Sequence, residues 1–228
     1  MKDKPVVVIG DVHGRFKALK KLADKLPDNA EVFLVGDLID RGPESVDVCQ
    51  FVREKGWQSV LGNHEWMMIN AFANPLMMDV WLSNGGYRTL ESIEKKAQQL
   101  NITPQQIIEE LISWFRMFPL FEEVKLPYTS VLITHAGIKP GFSKWEEALS
   151  IPLDAPDSII WYRGPLGDFP GVTQVCGHTP VPKGPIKEGN NWRIDTGCTY
   201  THEGLGHLSA IVFHNDVSEP EIIKVACF

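Results

Sequence analysis

The chain has 228 residues, and its 22 Lys and Arg against 29 Asp and Glu leave a net charge of −7. At about 150 residues per domain this length allows one large domain or two small ones, and 43% hydrophobic with 22% charged residues excludes a disordered or low-complexity chain. The acidic balance argues against general affinity for nucleic acid or anionic lipid, which needs a basic surface.

Pro5 to Ile9 is a continuous apolar run ending at Gly10, the pattern of a strand buried on both faces. Phe16, Leu19, Leu22 and Leu26 then recur at helical spacing, with Lys17, Lys20, Lys21 and Lys25 on the opposite face. Val32 to Val35 predicts a second buried strand. Pro43 to Lys55 predicts a helix with Val46, Cys49 and Val52 as its apolar stripe, and Ser59 to Leu61 a third short strand. This βαβαβ order predicts parallel strands joined by right-handed crossovers. From Glu65 to Phe118 the chain reads as mostly helical, with Ile107, Ile108, Leu111, Ile112 and Phe115 on one face. Thr103-Pro104-Gln105-Gln106 reads as a capped helix start. Beyond Phe121 strands are predicted at Val131–Thr134, Val172–Cys176, Trp192–Asp195, Leu208–Phe213 and Ile222–Val225. There is no internal repeat and no splitting linker, so residues 1–228 read as one domain with a helical lobe at about 65–118.

The apolar run Val6 to Ile9 is shorter than the ~7–15 residues of a secretory signal, and no run approaches the ~18 residues of a membrane span. A cytoplasmic location is the expectation. Cys49, Cys176, Cys198 and Cys227 show neither CxxC pairs nor framework spacing, so all four are expected as reduced thiols, Cys176 as a small buried one.

The chemistry gathers after the strands. They run into Gly10-Asp11-Val12-His13-Gly14, Gly36-Asp37-Leu38-Ile39-Asp40-Arg41-Gly42, Gly62-Asn63-His64-Glu65, Thr134-His135-Ala136-Gly137 and Cys176-Gly177-His178-Thr179-Pro180. Ligands of open α/β sheets bind beyond the carboxyl ends of the strands. Each motif alone is more often an ordinary turn or a core histidine; five together at strand ends are not. Oxygen and imidazole donors without cysteine suit manganese, iron or zinc. Six such residues are too many for one open catalytic ion and fit two ions sharing a carboxylate, a device for hydrolysing phosphate esters. Glu65 is read as opening a helix, and Trp66, Met67, Met68, Trp114 and Phe115 as core.

These motifs resemble the metallophosphoesterase superfamily, and within it the phosphoprotein phosphatases. The compact length and the Ile194-Asp195-Thr196-Gly197-Cys198 ending look most like the small bacterial and phage enzymes that act on phosphoserine and phosphothreonine. The resemblance implies an α+β fold of αββα type, a β-sandwich of mixed sheets flanked by helices. It implies Asp11, His13 and Asp37 on a first metal, and Asp37, Asn63, His135 and His178 on a second, with Asp37 bridging. Two divalent ions are expected, manganese first, with iron or zinc as alternatives. Arg41 and, on a looser match in Trp161-Tyr162-Arg163-Gly164, Arg163 would bind phosphate oxygens, with Asn63 beside them in the substrate site. His64 would be the general acid, oriented by Asp40. Direct hydroxide attack on a phosphoprotein or phosphopeptide is the implied reaction, without nucleic-acid or membrane partners and with the oligomeric state left open.

Symmetrical diadenosine tetraphosphatases share these motifs and Trp81-Leu82-Ser83-Asn84-Gly85-Gly86, and are the alternative. A non-catalytic metal-binding module is disfavoured because the acid and the arginines accompany the ligands, and a nuclease because of the negative charge.

Overall fold

The alternation of side chains along the first strand sets the layers of the molecule. In the computed structural model, which describes residues 4–228, β1 (Val6–Ile9) is buried at every position. Val6 and Val8 point into one core with Phe33, Ile133, Val175, Trp192 and Ile211, while Val7 and Ile9 point into another with Leu19, Leu22, Val52 and Ile107. The first core lies between two sheets; the second lies between a sheet and its covering helices. Each fully buried aliphatic side chain contributes about 1.5–3 kcal/mol relative to exposure.

The remaining strands are β2 (Glu31–Leu34), β3 (Gln58–Ser59), β4 (Phe121–Lys125), β5 (Ser130–Thr134), β6 (Val172–Cys176), β7 (Ile186–Glu188), β8 (Asn191–Arg193), β9 (His207–His214) and β10 (Val217–Ala226). They form two five-stranded sheets, ordered β10-β9-β1-β2-β3 and β4-β5-β6-β8-β7. The expected parallel unit is present, since β1–β2 and β2–β3 are parallel. Antiparallel β9 and β10 complete that sheet. The second sheet is also mixed, with β5, β6 and β8 parallel and β4 and β7 antiparallel at its edges. The fold is the α+β sandwich of mixed sheets flanked by helices.

Helices α1 (Phe16–Ala23) and α2 (Ser45–Glu54) lie where the periodicity predicts, with Leu19, Leu22, Val46, Cys49 and Val52 buried. The predicted helical stretch is four helices with kinks between them: α3 (Asn63–Ala73), α4 (Met78–Trp81), α5 (Tyr87–Leu100) and α6 (Pro104–Phe115), plus a 3-10 turn at Pro75–Met77 and a π-turn at Leu82–Gly86 that joins α4 to α5. Thr103 caps α6 reciprocally with Gln106. The third strand is shorter than predicted, because the Leu61 N–H leaves the sheet for Pro119 O at 2.8 Å. Edge strands β4 and β7 escape the periodicity: they are mostly half-exposed and carry Glu122, Glu123, Lys125, Lys187 and Glu188.

Cys49 and Cys176 are buried free thiols, and burial pushes Cys176 up to about 12. The expectation of reduced thiols is corrected for the other two: Cys198 and Cys227 form a disulfide. Their separation of 29 residues gives no sequence signal. The long antiparallel β9–β10 pair creates the encounter by returning the C-terminus to the loop after β8, where Cys227 N–H donates to Gly206 O at 2.9 Å. Cys227→Ser should lower the stability of the oxidised protein by about 3–4 kcal/mol on a chain-entropy estimate. Scanning calorimetry checks this, and thiol reductant should bring parent and variant to the same Tm.

Candidate active site

Six strands, β1, β2 and β3 of one sheet and β5, β6 and β8 of the other, end on one side of the sandwich, and the loops leaving them carry the polar residues. The backbone there is contorted. Among the described residues, His13, Asp37, Asp40, Arg41 and His178 all have left-handed φ, at 46°, 53°, 71°, 64° and 63°. Each such non-glycine residue costs about 1–3 kcal/mol, and the surrounding hydrogen bonds hold it in place. Asp37 O accepts from the N–H groups of both Val12 and His13, at 3.1 and 2.8 Å, which ties the loop after β1 to the loop after β2. A Cβ at Gly62 would collide with Asp37 and with the Glu65 carboxylate, so only glycine lets the third loop approach.

Three histidines are tethered alike. His13 Nδ1 donates to Ile39 O at 2.9 Å, His135 Nδ1 to Val35 O at 2.8 Å, and His178 Nε2 to Trp161 O at 3.1 Å. The backbone carbonyls fix each tautomer and leave the opposite nitrogen as an acceptor facing inward, bare in His135 and His178 and met by the Arg41 guanidinium in His13. His135 Nε2 and His178 Nδ1 are 3.2 Å apart, and both lie beside Asn63 Oδ1, at 2.8 and 2.9 Å. Three acceptors at hydrogen-bond distance with no proton among them are repulsive unless a cation joins them. Burial, His135 and Arg163 push His178 down to about 2, and burial holds His13 and His135 below the usual imidazole range. Neutral imidazole is the form that binds a metal.

Asp37 links the two halves. Its Oδ1 is 3.5 Å from His135 Nε2 and its Oδ2 is 3.5 Å from His13 Nε2. It belongs to both close groups of metal-competent side chains, His13–Asp37–His64 and Asp37–His135–His178. Asp11 stands just outside them, its carboxylate accepting the His178 N–H at 3.1 and 3.2 Å. Burial, then Asp195 and Asp37, raise Asp11 well above the usual carboxylate range, so this corner needs positive charge. The Arg41 guanidinium supplies some: its Nη1 donates to His13 Nε2 at 2.8 Å, at the edge of the first group. The donor set of carboxylates, amide oxygen and neutral imidazoles, with its uncompensated acceptors, therefore fits two divalent cations.

His64 differs from the other three. Its Nδ1 donates to a carboxylate, Asp40 Oδ2, at 2.7 Å, and its Nε2 is buried without a partner 3.9 Å from Asp37 Oδ2. Burial alone would lower His64, but Asp37 and Asp40 outweigh it and hold the imidazole above its ordinary range. This is the setting of a proton donor. Arg163 lies further out and exposed, with Nη1 donating to His178 O at 3.0 Å.

Several residues here had no role in the motif reading. Glu65 does open α3, but its carboxylate also accepts the N–H groups of Asp37, Leu38 and Ile39, at 2.9, 2.8 and 3.3 Å. Asp195, after β8, is fully buried and pushed up to about 6 by burial and Asp37. Trp81 and Thr89 donate to Asp40 from the helical lobe. Asp195 ends a predicted strand and was in principle readable; the other three depend on tertiary packing.

A site of this composition defines a metal-dependent phosphoester hydrolase, and the chain belongs to the calcineurin-like phosphoesterase family, which matches residues 4–215. Over 204 residues it is 30% identical to a serine/threonine-protein phosphatase 1 of Salmonella typhimurium, covering 86% of this chain and 87% of that one. Over 149 residues it is 32% identical to a symmetrical bis(5'-nucleosyl)-tetraphosphatase of Erwinia tasmaniensis, covering 62% of this chain but 46% of that one. An asymmetrical bis(5'-nucleosyl)-tetraphosphatase of Halalkalibacterium halodurans is 29% identical, covering 90% of this chain and 89% of that one.

Among the described residues, Asp37 alone belongs to both groups of donors. Asp37→Ala should therefore lose more bound manganese per chain than Asp11→Ala or His178→Ala, measured after gel filtration in limiting metal. Equal stoichiometry in Asp37→Ala and the parent would remove Asp37 from the bridging position.

Proposed function

We propose that the chain is a phosphoprotein phosphatase that hydrolyses phosphoserine and phosphothreonine esters, with Asp11, His13 and Asp37 holding one divalent ion and Asp37, Asn63, His135 and His178 the other. Manganese is the proposed metal and the cytoplasm the proposed location. Residues 1–228 act as one catalytic unit, with the helices of residues 65–118 as a lobe beside the site. When bound, the two ions supply the nucleophile at neutral pH and neutralise phosphoryl charge.

The chain's own residues do the rest. Arg41 turns from His13 Nε2 toward the equatorial phosphoryl oxygens, and Arg163 reaches them from the rim; a guanidinium suits both contacts by its fork of donors. Asn63 holds the phosphoryl group beside the donors of the second metal. His64 presents Nε2–H to the departing oxygen, and Asp40 keeps the ring oriented and stabilises its charged form.

The observation that carries this reading is the buried Asp40–His64 pair with an unpartnered Nε2. A serine or threonine alkoxide is a poor leaving group and needs a proton; a nucleotide phosphate needs it less. The ground beside Arg163 supports a peptide as well. An open depression of ≈ 630 Å³ there is walled by Trp161, Tyr162 and Pro156 and by the carboxylates of Asp154 and Asp157. A chain of four phosphates would meet the Asp154 carboxylate beside an Asp157 paired with Lys139 Nζ at 2.7 Å, whereas a peptide without acidic side chains would not be repelled there. The tetraphosphatase reading keeps its support in the names of several relatives, symmetrical and asymmetrical.

Phosphoserine or phosphothreonine peptides should be hydrolysed with a higher kcat/KM than diadenosine tetraphosphate, followed by phosphate release and by chromatography of nucleotide products. Faster release of two ADP would move the protein to the symmetrical tetraphosphatases. His64→Asn should keep both metals, yet lose about 10²–10⁴-fold in rate on phosphoserine peptides and much less on p-nitrophenyl phosphate, whose leaving group needs little protonation. An equal loss on both with lost metal would make His64 a support for the metals.

A further inference from the structure

The helical lobe reaches into the leaving-group machinery at one point, the carboxylate of Asp40. That carboxylate is fully buried and receives three donors. His64 Nδ1 donates to Oδ2 at 2.7 Å; Trp81 Nε1 donates to the same oxygen at 2.9 Å; Thr89 Oγ1 donates to Oδ1 at 2.6 Å. His64 comes from α3, directly after the third strand. Trp81 ends α4 and Thr89 lies in the first turn of α5, and both are fully buried.

Thr89 does more than hold one oxygen. A hydroxyl has one proton to give, and here it goes to the carboxylate, which has none. Thr89 Oγ1 is then the acceptor for the Asp40 N–H at 2.9 Å and for the Ser45 hydroxyl at 3.1 Å. One side chain thus grips both ends of a residue whose φ is 71°. Trp81 is fixed as firmly. Its indole lies edge-on to Phe72, with ring centroids 5.8 Å apart, and a Cβ at Gly86 would strike it. The π-turn between the two residues closes the clamp: Gly85, at φ 105°, accepts the Arg41 N–H at 3.2 Å. The lobe therefore sets the backbone of Asp40 and Arg41 together with the carboxylate plane of Asp40.

We infer that Trp81 and Thr89 are positioning residues for the leaving-group step, acting through Asp40 on the orientation of His64, so that the lobe is part of the proton-delivery apparatus as well as a wall of the site. Oriented charge-assisted donors fix a carboxylate's plane in a way that packing alone does not. Without the Trp81 N–H, Asp40 Oδ2 is held by His64 alone, and the imidazole moves with it. Neither residue touches the donors proposed for the metals, so metal binding should stand apart from this effect. The inference rests on the reading of His64 as the acid.

The test uses two generic phosphomonoesters, phenyl phosphate and p-nitrophenyl phosphate, so it does not depend on a peptide substrate. Trp81→Phe keeps an aromatic ring and deletes the N–H. It should lower kcat on phenyl phosphate about ten-fold, the worth of one lost charge-assisted hydrogen bond, and on p-nitrophenyl phosphate less than about two-fold. Manganese content should be unchanged. Thr89→Val should show the same bias, and Thr89→Ser should restore the parent rates. Trp81→Phe added to Asp40→Asn should cost no more than Asp40→Asn alone, since a residue that acts through Asp40 has nothing left to act on. Equal losses on the two esters, a Thr89→Ser as impaired as Thr89→Val, or additive losses with Asp40→Asn would each overturn the assignment. His64→Asn is the reference. If it shows no leaving-group bias, the acid reading falls and this inference with it. If it does and Trp81→Phe does not, the positioning role falls alone. Should Trp81→Phe fail to fold, the Thr89→Val and Thr89→Ser pair decides.

Discussion

Lone pairs that face one another without a proton between them are the constraint on which the site depends. His135 Nε2, His178 Nδ1 and Asn63 Oδ1 lie within 3.2 Å of each other, and each can only accept. The arrangement persists because each imidazole is held from behind by a backbone carbonyl, from Val35 and Trp161 respectively. Those carbonyls belong to the end of β2 and to the segment before β6. The sandwich places them, and so the two cores indirectly aim the nitrogens. A site built this way is electrostatically costly as a bare protein and favourable once cations fill it, which couples its affinity to the stiffness of the scaffold.

The same economy explains why His13 and His64 take different parts though they lie in one cluster, with ring centroids 4.7 Å apart. A carbonyl behind His13 leaves a neutral ring with an inward lone pair. A carboxylate behind His64 favours the charged ring with an inward N–H. In the proposed mechanism one ring binds a cation and the other gives a proton. The choice is made at the far nitrogen, by Ile39 O in the first case and Asp40 in the second.

Much of this was legible in the chain. The valine-rich runs ending at Gly10 and Gly36 announce buried parallel strands, and the residues after them converge because carboxyl ends of parallel strands share one edge. The amphipathic stripes of α1, α2 and α6 and the cap at Thr103 follow from local spacing. What was hidden depends on partners distant in sequence. Strands β4 and β7 are half-exposed edge strands whose charges mask their period. The pairing of Cys198 with Cys227 exists only because β10 folds back on β9. Glu65 looked like an ordinary first-turn acid, and its grip on the Asp37–Ile39 backbone appears only when the second and third loops meet. Trp81 read as a residue of a shared motif; its hydrogen bond to a carboxylate 41 residues earlier has no local signature.

The left-handed residues around the site carry one further consequence. His13, Asp37, Asp40, Arg41 and His178 occupy a region of backbone space that glycine enters freely. Erasing the His13 or His178 side chain would relieve backbone strain and lone-pair repulsion together, whereas erasing Asp40 would strand the buried donors of His64, Trp81 and Thr89, so backbone strain and the polar network pull in opposite directions along this edge. Selection for heat resistance alone should drift toward glycine at His13 and His178 but not at Asp37 or Asp40, and selection for turnover must hold against that drift. Thermostabilisation compatible with activity has to come from elsewhere, such as the half-exposed edges of the second sheet.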